Sequence, residues 1–201
     1  MVTSDRRVAG SVVTCQTGDV LTEGTERPVL EFIGTVAERG TTDLEELGTP
    51  SELAVWIARS GLVDTGLTVT PVQLVRARSV REAMSALLTA AVDGTEPPAA
   101  DRALVNAAAA RSRPVRSLDP GGRVHRDGDL GAVLAALAED CLDLLGGPDR
   151  SALHGCADPT CTRLYVDRSR GQRRRWCGMK GCGDRAKAAA YRQRRRDEPV
   201  T

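Results

Sequence analysis

Six cysteines stand in the 201-residue chain: Cys15, Cys141, Cys156, Cys161, Cys177 and Cys182. The last four form the pattern C-x4-C-x15-C-x4-C. Two close pairs separated by a short insert suit one tetrahedral zinc ion, each pair supplying two thiolates at about 2.3 Å. Two disulfides would use the same residues, but a reducing compartment disfavours them. Burial as free thiols would need a core, and these four lie in a polar, Arg-rich segment. The pattern therefore predicts one zinc ion (Zn2+) per chain, held by Cys156, Cys161, Cys177 and Cys182. Four thiolates close the shell and leave no position for a reactive water, which argues against metal catalysis. His154, two residues before Cys156, is a weaker candidate ligand. Cys141 falls on the apolar stripe of a predicted helix and reads as a core residue; Cys15 also reads as structural. His125 is given no role. With only two histidines, the chain offers no convincing nucleophile–histidine–acid set. It has neither a P-loop nor a dinucleotide fingerprint. The protein is not expected to be an enzyme.

The charges are unevenly placed. Residues 1–149 carry 14 Arg against 22 Asp and Glu, net −8, whereas residues 150–201 carry 12 Arg and 2 Lys against 5 acids, net +9. Such a split suggests two units with different partners, the basic one facing a polyanion. A solvated basic tail is the plainer alternative. The candidate nucleic-acid contacts in the insert are Arg168, Arg170, Arg173, Arg174 and Arg175. After the last cysteine they are Arg185, Lys187, Arg192, Arg194, Arg195 and Arg196. Phosphate contacts are expected to outnumber base contacts, because most protein–DNA hydrogen bonds go to the backbone. Trp176 and Tyr191 either stack on bases or pack the small core. DNA is the first partner considered. RNA, or an acidic protein surface, would satisfy the same charge.

These side chains need elements to position them. Hydrophobic residues make up 41% and aromatics 2% of the chain. A core so poor in rings must be built from Leu, Val, Ile and Ala, which suits helices. Residues 1–26 read as a strand or a loose lead-in. A first helix is predicted over Pro28–Glu38. Thr49-Pro50-Ser51-Glu52 is a capping box, and the helix behind it buries Leu53, Trp56 and Ile57 before Gly61. Thr70-Pro71-Val72-Gln73 repeats the signal and opens a long helix that stops at Asp93-Gly94. A shorter helix covers Ala100–Ala110. Pro114–Asp119 and Arg123–Arg126 flank Pro120-Gly121-Gly122 and read as a β-hairpin. Asp129–Leu145 is the clearest helix, with Val133, Leu134, Leu137, Ala138, Cys141, Leu144 and Leu145 on one stripe. Gly146-Gly147-Pro148 ends it and marks the boundary between two domains, 1–147 and 150–197.

In the second domain, Leu164–Val166 and Arg174–Trp176 are expected to pair around a turn, with a helix over Arg185–Arg196. About 40 residues bury too little apolar surface to fold unaided, so metal should supply most of the folding energy. The two halves are expected to have separate cores. The fold class is thus mostly α with a β-hairpin (α+β) in the N-terminal domain, followed by a small treble-clef or zinc-ribbon-like finger. No run of 18 apolar residues occurs, so no membrane span is expected. Arg6, Arg7 and the short run Val8–Val13 make a poor export signal. A cytoplasmic, nucleoid-associated protein is expected.

The residues Cys156, Cys161, Tyr165, Asp167, Arg174–Cys177, Cys182, Gly183, Arg185, Lys187 and Tyr191 resemble the CGNR zinc finger over residues 153–196. That family is named for a Cys-Gly-Asn-Arg tetrapeptide, and here Asp184 replaces the Asn. The N-terminal half resembles the ABATE domain that usually precedes this finger. Leu30–Thr35 resembles its Leu-Asp-Phe-Val-Asn-Thr opening, with Glu31 and Gly34 in place of Asp and Asn. Leu53–Trp56, Val80–Ala83 and Leu104–Asn106 also match. The resemblance implies a bacterial transcription regulator, with the finger on DNA. It implies an N-terminal domain that senses a signal, either a small molecule or a protein partner, and a homodimer is possible in such a helical half. Asp184, placed where the last helix should begin, is read as a helix cap, because Asp and Asn are both strong N-caps.

Overall fold

The computed structural model describes residues 27–64 and 66–197. The reading of residues 1–26, with Cys15, lies outside the described residues. Helix α1 spans Pro28–Ile33, with Pro28 at its first position. It stops at Gly34, five residues short of the predicted span, because the chain turns there into β1 (Val36–Ala37), paired antiparallel with β2 (Leu44–Glu45). The Thr35 hydroxyl donates back to the Phe32 carbonyl at 2.7 Å and fixes this exit. Helix α2 spans Pro50–Ser60 and α3 spans Pro71–Asp93. Both open with the expected capping boxes. The Glu52 amide donates to Thr49 Oγ1 at 3.2 Å, and the Gln73 amide to Thr70 Oγ1 at 3.3 Å. Both end at a glycine with φ of 67°, a conformation that costs other residues dearly.

Helix α4 spans Ala99–Ala109. Strands β3 (Val115–Leu118) and β4 (Val124–Asp127) form the predicted hairpin. Helix α5 spans Leu130–Gly146, and the Asp129 carboxylate caps it by accepting from the Ala132 amide at 2.8 Å. A 3-10 turn, Pro148–Ala152, leads into β5 (Leu153–Gly155) and β6 (Leu164–Val166). A turn over Met179–Gly183, kinked by non-helical torsions at Lys180 and Gly181, runs into α6, Asp184–Asp197.

Helix α3 packs on α4 and α5, and α1 packs on both α3 and α5. Phe32, Leu53, Ile57, Met84, Leu88, Val105, Leu134, Leu137 and Cys141 are buried in this core. Trp56 is only partly buried, its ring 4.9 Å from that of Phe32. Arg81 is 2% exposed and lies among charged partners rather than apolar ones. It donates to both Glu45 oxygens, at 2.7 and 2.6 Å, and to Thr35 Oγ1 at 3.0 Å, which ties β2 to α3. Such a paired cation is tolerated in a core, whereas a lone one would not be.

Two expectations for the C-terminal part give way. Strand β6 pairs with β5 and not with Arg174–Trp176: Leu153 faces Val166, His154 faces Tyr165 and Gly155 faces Leu164. The Arg174–Trp176 backbone is used otherwise. The Arg174 amide donates to Asp167 Oδ2 at 2.8 Å, and the Arg175 carbonyl accepts from Ala157 at 2.8 Å. The cores are not separate either. Leu153, Leu164 and Val166 belong to the same buried cluster as the helices, while Tyr165 sits in a second cluster with Cys177 and Cys182. Strand alternation explains this: residues one apart on β6 point to opposite faces.

Candidate metal centre and the basic residues around it

Cys156 follows β5, and its amide donates to the Arg163 carbonyl at 3.0 Å. Cys161 closes a tight turn built on Asp158, which accepts from the Thr160 amide and hydroxyl at 3.1 and 2.9 Å and from the Cys161 amide through its carbonyl at 3.0 Å. Cys177 follows Trp176. Cys182 lies in the kinked turn, where Gly181 adopts φ of 100°. These two loops bring the four sulfurs within 4.8 Å of one another. Cys161 Sγ lies 3.7 Å from Cys177 Sγ, which lies 3.8 Å from Cys182 Sγ. A tetrahedral zinc with bonds of about 2.3 Å has ligand–ligand edges of about 3.8 Å. The donor set therefore fits one zinc ion, and these four cysteines are positioned to bind it. His154 is not in the cluster; its Nε2 is buried with no hydrogen-bond partner among the described residues.

The thiols interact strongly. The hydrogen bond from Cys177 lowers Cys161 to about 5, while burial and the charge on Cys161 push Cys182 up to about 12. Cys177 is pushed up as well, first by its hydrogen bond to Cys161. One thiolate forms readily and resists a second beside it. A divalent cation reverses that balance, since it favours every thiolate at once. Cys141, by contrast, is pushed up to about 12 by burial within the helical core, in keeping with a structural role.

Around the sulfurs, the candidate contact residues Arg174, Arg185 and Arg168 are hydrogen-bonded within the protein. The Arg174 guanidinium lies 4.6 Å from the Tyr165 ring centroid and donates to the Trp176 carbonyl at 2.8 Å and to the Cys177 carbonyl. The Tyr165 hydroxyl in turn donates to the Arg174 carbonyl at 2.6 Å. Arg185 donates through Nη2 to Cys182 Sγ at 3.0 Å and through Nε to Asp158 at 2.9 Å. Arg168 reaches Asp149 at 2.8 Å, and Asp149 also receives Arg27 at 2.9 Å. Arg170, Arg173, Arg175, Lys187, Arg192, Arg194, Arg195 and Arg196 are exposed. Arg175 lies over Trp176, 5.3 Å from its ring centroid.

Asp184 is corrected. It has helical torsions, φ −71° and ψ −38°, and not the extended backbone of an N-cap. The preceding kinked turn leads into the helix, with the Gly183 amide donating to the Gly178 carbonyl at 3.1 Å. Asp184 is the first helical residue, and its exposed carboxylate lies 3.8 Å from Lys187 Nζ. Two other acids matter more, and neither was singled out as a site residue. Asp158 holds the first knuckle. Asp167, 1% exposed, accepts from the Ser169 and Arg174 amides at 2.9 and 2.8 Å. Both sit in Asp-x-Thr or Asp-x-Ser triplets, a local turn signal that could have found them.

A model of the ABATE family, described as "Putative stress-induced transcription regulator", matches residues 26–148. The chain belongs to the ABATE family. A second model, the CGNR zinc finger, matches residues 153–195 and so covers the four clustered cysteines of this ABATE protein. Neither description is that of an enzyme. No curated protein matches the chain. Among the described residues, no helix of the ABATE protein is long and apolar enough to cross a membrane.

Proposed function

We propose that this ABATE protein is a zinc-dependent transcription regulator that binds duplex DNA through its basic finger, residues 150–197. The N-terminal unit, residues 1–147, senses a signal. The observation that carries the reading is α6. It is mounted on the cysteine turn at its root, and every residue from Lys187 to Arg196 is exposed. Its 14 residues span about 21 Å. At 100° per residue, Lys187, Tyr191, Arg194 and Arg195 form one stripe, and Arg192 and Arg196 a second in line with Arg185. A short polar helix with so little packing along its length is marginal alone. Phosphates along both stripes would stabilise it. Arg170, Arg173 and Arg175 add cations on the loop before Cys177. Arg168, Arg174 and Arg185 serve chiefly to hold the finger together.

Fluorescence anisotropy of labelled duplex DNA, duplex RNA and single-stranded RNA with the zinc-loaded chain tests this. Arg194→Glu with Arg195→Glu should weaken duplex DNA binding at least tenfold and leave melting unchanged. Tighter binding to either RNA would transfer the same face to RNA. Absence of binding to all three at low salt would overturn the reading.

A further inference from the structure

A cleft of about 550 Å³ lies between α3 and the cysteine knuckle. We propose that it binds a small organic cation, an amine or guanidine that also hydrogen-bonds hydroxyl groups. The proposal rests on the reading that the N-terminal unit senses a signal, and it names the site and the chemistry.

One wall is the stripe Glu82, Ser85, Thr89 and Asp93, spaced three and four apart and therefore on one face of α3. The finger supplies the facing wall, with Cys161, Thr162 and Arg163 among its residues. Ser85 is the telling residue. It is 7% exposed, lines the cleft, and its hydroxyl has no hydrogen bond among the described residues. A helical serine normally bonds back to its own helix, as Ser79 does to the Val75 carbonyl at 3.0 Å. The Ser85 oxygen opens onto the cleft and has no protein partner there, so a ligand can bond it in place of solvent.

The charges select the ligand's sign. Glu82 is already paired with Arg39 and Arg81, each at 2.8 Å, and Arg163 lies 3.5 Å from Glu46. Asp93 and Glu96 also line the cleft and carry no ion pair among the described residues. Helix α3 ends at Asp93, so its C-terminal dipole adds negative potential at the same place. A cation is favoured there and an anion repelled. The volume is in the range of small-molecule sites. The Arg39 amide already bridges the two walls by donating to Thr162 Oγ1 at 3.2 Å. A ligand seated beside it contacts both the helical unit and a loop that carries two zinc ligands.

The test is calorimetric titration of the zinc-loaded full chain, without nucleic acid. Agmatine and 1,5-diaminopentane are the probes, with 1,5-pentanediol and glutarate as neutral and anionic counterparts. The cations should bind at least about tenfold more tightly than either counterpart. Asp93→Asn combined with Glu96→Gln should weaken them about fivefold or more. Ser85→Ala should weaken them by a similar factor, since about one hydrogen bond is lost. Thermal melting checks that both variants are folded. Failure of both cations to bind, equal binding of the diol, or unchanged affinity in either folded variant would overturn the proposal. DNA affinity is measured separately on the same samples. Its loss with cation binding intact would sink the regulator reading and leave the cleft assignment standing.

Discussion

Loss of zinc should destabilise the helical half as well as the finger. The perturbation is Cys177→Ser, or chelation of the wild-type chain, either of which breaks the four-sulfur site. Strand β6 then loses the anchor on one of its faces, where Tyr165 packs with Cys177 and Cys182. Its other face belongs to the main core through Leu164 and Val166, and β5 adds Leu153. If the hairpin leaves, three aliphatic side chains leave that core. At about 1.5–3 kcal/mol each, the low end of the sum is about 5 kcal/mol. The low end is appropriate because burial against an extended reference overstates the gain. A chain of this size shifts in melting temperature by roughly 2–4 °C per kcal/mol, so helix melting should fall by about 10–20 °C. Far-ultraviolet circular dichroism of loaded, chelated and Cys177→Ser protein measures it, with a thiol-reactive dye reporting release of the cysteines. Leu164→Ala in the loaded protein should lower the same transition, by about 2–5 kcal/mol in stability. Full release of the cysteines with helix melting unmoved would refute the reasoning, because the hairpin would then be staying on the core without its metal.

DNA binding should weaken with salt at a log–log slope near −5 if about six cations neutralise phosphates, measured by anisotropy over a salt series. Arg185→Ala should speed zinc release to a chromogenic chelator, because it removes a charged donor 3.0 Å from Cys182 Sγ, and Arg185→Lys should restore part of the difference. Asp149 is held below the usual carboxylate range by Arg168 and then Arg27, and Asp167 by its bonds to Ser169. Their folded values lie below their unfolded ones, so the stability they add is complete above about pH 4 and is lost as pH falls through the folded values, which an acid series of melting curves will show. Asp184→Ala should cost about 0.3–1 kcal/mol in melting experiments, a first-turn dipole effect, and Asp184→Asn should raise DNA affinity by removing a negative charge beside Lys187.

Local chemistry made much of this molecule legible in advance. Thr49 and Thr70 opened their helices where the capping boxes stood, because a cap is decided by groups a few residues apart. The zinc ligands were legible for the same reason, since each pair lies on one short loop. What the sequence concealed was pairing across the proposed boundary. Leu153–Gly155 sits just after Gly146-Gly147-Pro148 and has only three residues with which to announce a strand. Arg174–Trp176 offered a better local turn, and long-range register is not written in a three-residue stretch. Apolar alternation on β6 was visible, but a strand with Leu164 and Val166 on one face and Tyr165 on the other needs two cores to satisfy it. That requirement contradicts a finger with a core of its own. Asp184 misled in a related way. Its residue type suits a cap, but the cap depends on whether the preceding backbone is extended. Here the chain kinks at Lys180 and Gly181, where Gly181 takes φ of 100°, and Asp184 after it already has helical torsions. The helix start is therefore set by the geometry that brings Cys182 to its fellow ligands, and the acid after it is left to act through its charge.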